Sequence, residues 1–276
     1  MSGTEEYLMV GAFVLIGGFV FVLGFFKMRK YRIIKDTPRS KIRSMAMGIV
    51  EIHGHVEADQ LIKSPFSKTD CVYYKYEIKE YRKQSSSKGK STSYRWVTVN
   101  SGDKRVPFFA CDETGRALVN PDRAEINVSF KRAYYQKGKG IFGSIAAFGK
   151  IIKALKDFDP NDPMALDVEG LELEPMESRT GLQSTRPGDR KYLEYYIETG
   201  DTLFVLGTAA HDPEAPDKVI IKRGRNEKTF IICDKEEKKI LKDIKKLMIV
   251  CFVIGGVFFA AGIVMLFQIL NIIPRG

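Results

Sequence analysis

Two uninterrupted apolar stretches bracket the chain, and between them hydrophobic residues recur in short alternating runs. Residues 7–26 (YLMVGAFVLIGGFVFVLGFF) and 247–270 (LMIVCFVIGGVFFAAGIVMLFQIL) carry no charged side chain. A hydrocarbon core about 30 Å thick needs roughly 20 helical residues to cross it, so each stretch predicts a transmembrane helix. Buried helices of a soluble core satisfy the same pattern less well at this length. The first stretch starts acidic (MSGTEE) and runs into KMRKYR. A cleaved signal would have a basic start, a shorter apolar core and a small-residue cleavage site, so the reading is a retained anchor.

From Met47 onward the pattern changes to short segments rich in β-branched and aromatic residues: GIVEIHGHVEA, CVYYKYEIKEY, YRWVTVN, VPFFA, AEINVSF, YLEYYIETG, TLFVLGTA, KVIIK and KTFIICD. Turn signals separate them, among them 112–115 (DETG), 120–122 (NPD) and 199–201 (TGD). Eight or nine such strands predict a β-rich, barrel- or sandwich-like domain over 46–233. The fold class is then a membrane-anchored α+β protein, two transmembrane helices flanking that domain. Residues 84–93 (QSSSKGKSTS) read as a polar hairpin loop.

A larger insertion spans 137–190. In it Ile141, Ile145, Phe148, Ile152 and Leu155 recur at helical spacing, with Lys150, Lys153 and Lys156 on the polar side, which predicts an amphipathic helix over 140–158. The rest of the insertion has Pro and acidic residues without a period and reads as a long loop. After the last strand, Asp234 and Glu237 have the spacing of a capping box, and Ile240, Leu241, Ile244 and Leu247 continue at helical spacing. A helical connector over 234–246 is therefore expected to run without a break into the second span.

Charge gives the arrangement a direction. The chain has 44 Lys and Arg against 34 Asp and Glu, a net +10. Only Glu5, Glu6 and Arg275 lie outside the middle, so the basic excess resides there. Lys27, Arg29, Lys30 and Arg32 follow the first span, and Lys238, Lys239, Lys242, Lys245 and Lys246 precede the second. Lys and Arg in short flanks mark the cytoplasmic side, which places the middle domain in the cytoplasm and both termini outside. Each such residue beside an anionic leaflet gains about 1 kcal/mol, so lipid headgroups rather than nucleic acid are the expected anionic partner. The candidate membrane contact is Ile145, Phe148, Lys150, Ile152, Lys153 and Lys156; the same helix reads equally well as a cap on the open end of the β-domain. Gly256 and Ala260 form a small-xxx-small pair at the depth of Gly17 and Gly18, which predicts packing between the spans and admits a homo-oligomer.

Sites of known chemistry are hard to build from these residues. Cys71, Cys111, Cys233 and Cys251 with His53, His55 and His211 make seven potential zinc ligands, one fewer than a two-zinc cross-brace needs, and there is no CxxC. His53 and His55 flank Gly54 and share one strand face, a geometry able to chelate. No third ligand is evident nearby, so the pair reads as hydrogen-bonded or exposed, and neither metal nor cofactor is expected. Gly138, Gly140 and Gly143 spell GxGxxG without the βαβ unit that dinucleotide binding requires. There is no P-loop and no GxSxG, and no catalytic residue is nominated. Exposed aromatics beside Arg and Lys are the usual anchors of protein interfaces, so Tyr81, Arg82, Lys83, Tyr94, Arg95 and Trp96 are the candidate partner surface. Ordinary strand packing accounts for those aromatics about as well.

Several segments together resemble a family. Residues 64–81 (SPFSKTDCVYYKYEIKEY), 105–109 (RVPFF), 115–126 (GRALVNPDRAEI), 188–209 (GDRKYLEYYIETGDTLFVLGTA) and 230–244 (FIICDKEEKKILKDI) are similar to the GIDE domain, also called BAM for "beside a membrane". It lies between the two spans of mitochondrial membrane-anchored E3 ubiquitin ligases and of many prokaryotic two-span proteins. The resemblance implies a membrane-side β-domain that binds a partner or regulates an assembly. In the ligases a RING after the second span transfers ubiquitin; here six residues follow Leu270, so transfer is not expected from these residues. Three readings follow: an interaction or scaffold module without a catalytic site; an E3-like component of a ubiquitin-type pathway, with transfer supplied by another chain; and a structural or channel-like oligomer.

Overall fold

The computed structural model describes residues 3–85, 92–138, 153, 173–175, 185–211, 219–234 and 237–270. They fall into two compact units, one formed by 40–234 and the other by the two ends of the chain, 1–39 and 235–276.

Fourteen strands run through the described part of the first unit. In chain order they begin with β1 (Gly48–Glu57), β2 (Ile62–Lys63), β3 (Asp70–Cys71), β4 (Tyr73–Ser85) and β5 (Thr92–Arg105). Then come β6 (Phe108–Asp112), β7 (Gly115–Val119), β8 (Glu125–Asn127), β9 (Arg132–Gln136) and β10 (Glu174–Pro175). The last four are β11 (Arg190–Ile197), β12 (Thr202–His211), β13 (Val219–Lys222) and β14 (Ile231–Cys233). Alternation does not mark β7 or β9, because each is five residues long and in β9 only Tyr135 is fully buried. The predicted loop at 84–93 is shorter than expected, since β4 continues to Ser85 and β5 starts at Thr92.

Strands β1, β6, β7, β13 and β12 pair in a ring, and β1 closes it against β12 over eight residue pairs from Gly48↔Ala209 to His55↔Thr202. The result is a five-stranded barrel, with β14 and β8 extending from β12. Of the barrel and the sandwich that the pattern allowed, closure decides for the barrel, and it also removes the edges that an open sheet would expose. Its interior is filled by β-branched and aromatic residues such as Val50, Ile52, Val56, Phe108, Val205 and Ile221, each at most 2% exposed. The β6–β7 turn is fastened by Asp112, whose Oδ1 accepts from the Thr114 amide at 2.7 Å and from the Thr114 hydroxyl at 2.6 Å.

A second, antiparallel sheet has the order β10, β9, β11, β4, β5. Its inner face carries Tyr74, Tyr76, Ile78, Tyr192 and Tyr196, which pack with Phe66. The Phe66 ring meets Tyr192 and Tyr76 edge-on at 5.3 and 5.8 Å. Glu194 of β11 lies in this layer, fully buried. Its carboxylate accepts from the Phe66 amide at 2.6 Å and from the Ser67 amide at 3.1 Å. The SPFS turn and the YLEYYI strand, 128 residues apart at Phe66 and Glu194, are thereby one structural element. Burial pushes the Glu194 carboxyl above the ordinary 4.5, against the pull of these donors and of the Ser64 and Ser67 hydroxyls.

The second unit consists of two helices, α1 (Gly3–Asp36) and α2 (Glu237–Ile269). Each contains a stretch long and apolar enough to cross a membrane, with mean hydropathy 2.6 and 2.7. Only 17% and 11% of these windows are covered by protein, unlike the helices of a soluble core. The first helix outruns the predicted 7–26 and continues through the basic segment to Asp36, where Thr37 caps Ile33 and Pro38 stops it. The second starts at Glu237 and passes unbroken from the connector into the apolar run. Asp234 itself accepts from the Ser129 amide at 2.6 Å.

The two helices meet along glycines. Gly17 and Gly24 in α1 and Gly255 and Gly262 in α2 are buried, each pair seven residues apart. A Cβ on Gly17 would stand 2.5 Å from the Phe259 amide nitrogen, and one on Gly255 2.5 Å from that of Phe21. Of the residues expected to pack the spans, Gly17 lies on this seam. Gly18 meets only the Phe259 ring, at 3.7 Å, Gly256 only the Phe21 ring, at 3.9 Å, and Ala260 is exposed.

The predicted amphipathic helix lies outside the described residues except for Lys153, which is helical and exposed. Ile145, Phe148, Lys150, Ile152 and Lys156 are not described.

Candidate partner-binding surface

Strand alternation divides the six candidate interface residues between two faces of the second sheet. Tyr81 stands opposite Trp96 and Lys83 opposite Tyr94, so these four share the outer face, while Arg82 opposes Arg95 on the other. On the outer face the Tyr81 ring stacks on Tyr94 at 5.9 Å and leans on Trp96 at 5.2 Å. Lys191 of β11 reaches across the strands and holds its ammonium 4.2 Å from the Trp96 ring centre, a cation–π contact. Tyr94 is 46% exposed.

The face continues along β4. Glu77 sits between Lys75 and Lys79, at 2.8 and 3.0 Å, and the Lys75 hydrogen bond foremost holds its carboxyl below the ordinary value. Beyond it Lys75 lies over the Tyr195 ring, which meets Phe130 edge-on at 6.1 Å. Three aromatic rings, a capping cation and a row of lysines thus lie on one sheet surface, with the rings held by their neighbours before any partner arrives. Sheet geometry accounts for the selection, since cross-strand aromatics on one face are near enough to touch.

Arg82 and Arg95 do not join this platform. Arg82 donates to Glu80 at 2.8 Å, and the nearly buried Arg190 donates to the same carboxylate at 3.0 Å. Burial would raise the Glu80 carboxyl, but the two guanidinium groups outweigh it and hold it below 4.5. A lowered carboxyl contributes stability that is present above its unfolded pKa near 4.5 and lost as pH falls through the lower folded value. Acid unfolding of the full chain between pH 5 and 2 is therefore expected to become shallower in Glu80→Gln, and identical slopes would contradict the pairing.

One basic feature is not legible as a site in the sequence. Arg123, Lys222, Arg223, Arg225 and Lys228 line a cleft of about 450 Å³ together with Asn120, Asp122 and Gly224. Arg123 adopts a left-handed backbone (φ 59°) after the Asn120 turn, and Arg105 ties that turn down through the carbonyls of Pro121 and Ala124 at 3.2 and 3.3 Å. None of the five cations makes an ion pair among the described residues. The run KRGR at 222–225 is the only sequence signal, and its partner Arg123 lies some hundred residues earlier.

Two strands of the second sheet, the strands that follow them and most of α2 lie in a stretch that can be compared with known families. Residues 161–267 match the GIDE family. The family description is E3 ubiquitin ligase. This GIDE match covers less than half of the chain and takes in β10 to β14 and most of α2. Lys191 and Glu194 lie inside it, whereas Tyr81, Tyr94 and Trp96 precede it. No curated protein and no solved structure matches the chain.

Proposed function

We propose that this is a membrane-anchored GIDE-domain protein whose β-domain docks an acidic protein partner at the cytoplasmic surface of the membrane. The observation that carries the reading is the ordered platform of Tyr81, Tyr94, Trp96 and Lys191 on the outer face of the second sheet. Rigid aromatics lose little conformational entropy on binding, and a cation already seated on a ring favours an acidic counterpart. The basic cleft adds a second patch of the same sign. The two apolar helices and their basic flanks support anchoring with the domain on the cytoplasmic side. On this reading the domain positions a partner, and any chemistry is performed by that partner.

A second reading is favoured by the family description: an E3-like component of a ubiquitin-type pathway that docks a substrate while another chain transfers the modifier. One experiment addresses both. The full chain is captured from its own membrane beside Trp96→Ala and Tyr81→Ala. A partner held through the platform is expected to lose at least about 2 kcal/mol, more than tenfold in recovery, on removal of Trp96. Equal recovery from all three chains would retire the surface. A ubiquitin-like modifier or its conjugating enzyme among the proteins lost would select the second reading.

A further inference from the structure

Outside the partner platform, one cluster on the barrel wall combines three different donor atoms. Along β1 the side chains of Ile52 and Val56 are buried in the core, and His53, His55 and Glu57 point to the opposite face. His55 stands directly across the β1–β6 seam from Cys111, and Glu57 across from Phe109. The close approach depends on Gly54, where a Cβ would sit 2.6 Å from the Cys111 carbonyl oxygen. Without that Cβ, β6 lies tight against β1 and the Cys111 thiol comes beside the two side chains flanking Val56. His55 Nε2 is 3.2 Å from Glu57 Oε1. One donor atom from each of His55, Glu57 and Cys111 lies within 4.8 Å of the other two.

We propose that His55, Glu57 and Cys111 form a three-ligand site for a divalent cation of the zinc class, with a fourth position open to solvent. The donor set argues for that class. An imidazole nitrogen, a carboxylate oxygen and a thiolate suit a borderline-soft ion, whereas calcium and magnesium require oxygen ligands throughout. Bonds of about 2.0 to 2.3 Å in a tetrahedron set ligand atoms roughly 3.3 to 3.8 Å apart. The His55–Glu57 separation of 3.2 Å is close to that spacing, and the Cys111 sulfur lies within 4.8 Å of both partners.

The ligands stand on adjacent strands of a closed barrel, so little backbone freedom is lost on binding. Cys111 is 5% exposed while His55 and Glu57 are open to solvent, which gives the ion an entry path and a sheltered sulfur. Binding forms the metal–sulfur bond and releases the thiol proton to solvent. His53 is turned away from the cluster: it pairs with Glu51 at 3.1 Å and meets the Phe204 ring edge-on. The site is thus built from one histidine of the HGH motif and two residues that the motif does not contain.

The test uses the full chain in detergent, stripped with chelator and titrated with cobalt(II), then with zinc in competition. One equivalent of cobalt is expected to produce the near-ultraviolet sulfur-to-metal charge-transfer band together with visible d–d bands, and zinc is expected to erase both. Cys111→Ser should abolish the near-ultraviolet band, and His55→Ala and Glu57→Gln should each weaken cobalt binding more than tenfold. Should Cys111→Ser fail to fold, the two surface variants decide. Absence of the band, its persistence in Cys111→Ser, or cobalt affinity unchanged in His55→Ala and Glu57→Gln would overturn the site and leave three neighbouring side chains only.

Discussion

Glu194→Ala is expected to destabilise the β-domain by about 3 kcal/mol or more, the largest single effect outside the helices. The carboxylate is fully buried and is the acceptor for the amides of Phe66 and Ser67. Truncation leaves the buried Phe66 amide without an acceptor, at about 1 to 3 kcal/mol, removes the acceptor of the partly buried Ser67 amide as well, and opens a cavity under the Phe66 ring. The loss extends beyond the turn, because Phe66 is wedged against Tyr76 and Tyr192 and so joins β4 to β11. Glu194→Gln retains one acceptor oxygen and is expected to cost clearly less. Urea unfolding of the full chain in detergent measures both, and hydrogen exchange at Phe66 and Ser67 locates the effect. Equal stability of the Ala variant and the parent would show that the turn is held by other contacts.

Gly17→Leu is expected to separate the two apolar helices, whereas Gly18→Leu leaves them paired. At Gly17 the first side-chain atom would stand 2.5 Å from a backbone nitrogen of α2, and backbone cannot rotate out of the way. At Gly18 the nearest atoms belong to the Phe259 ring at 3.7 Å, an ordinary contact. Association of apolar helices depends on close packing because there is no hydrophobic gain between surfaces that lipid covers equally well. A reporter disulfide between Phe13→Cys and Phe258→Cys, whose rings stack at 5.4 Å in the parent, reads the pairing in a Cys251→Ser background. The yield is expected to fall about tenfold with Gly17→Leu and to hold with Gly18→Leu; equal yields would displace the glycine seam from the interface.

These two residues also show how far the sequence could be read. The spans were legible because some twenty uncharged residues in a row are a property of composition, independent of what they touch. Which glycines face the partner helix was not, since Gly17 and Gly18 differ only by a rotation of about 100° around the axis. Glu194 gives no local sign of burial, being one acid among the tyrosines of a half-exposed strand pattern. The aromatic platform stands between these cases. Period-two alternation places Tyr81, Lys83, Tyr94 and Trp96 on one face and Arg82 and Arg95 on the other once the hairpin register is known, but the contribution of Lys191 needs β11 to lie beside β4.

Sequence alone determined two apolar helices, a basic β-rich middle and the faces of most strands, because hydrophobic period and charge are written residue by residue. Tertiary structure alone decided that β1 returns to β12 to close a barrel, that β7 and β9 are strands, and that the GIDE-matching stretch supplies the acceptor for a turn that precedes it in the chain. It also brought Cys111 opposite His55, 56 positions away in the chain, and so gave the HGH motif the neighbour it lacked. The physical reason is common to all of these. Alternation fixes what a strand is and which way its side chains point, whereas pairing and register depend on which distant surfaces become buried together.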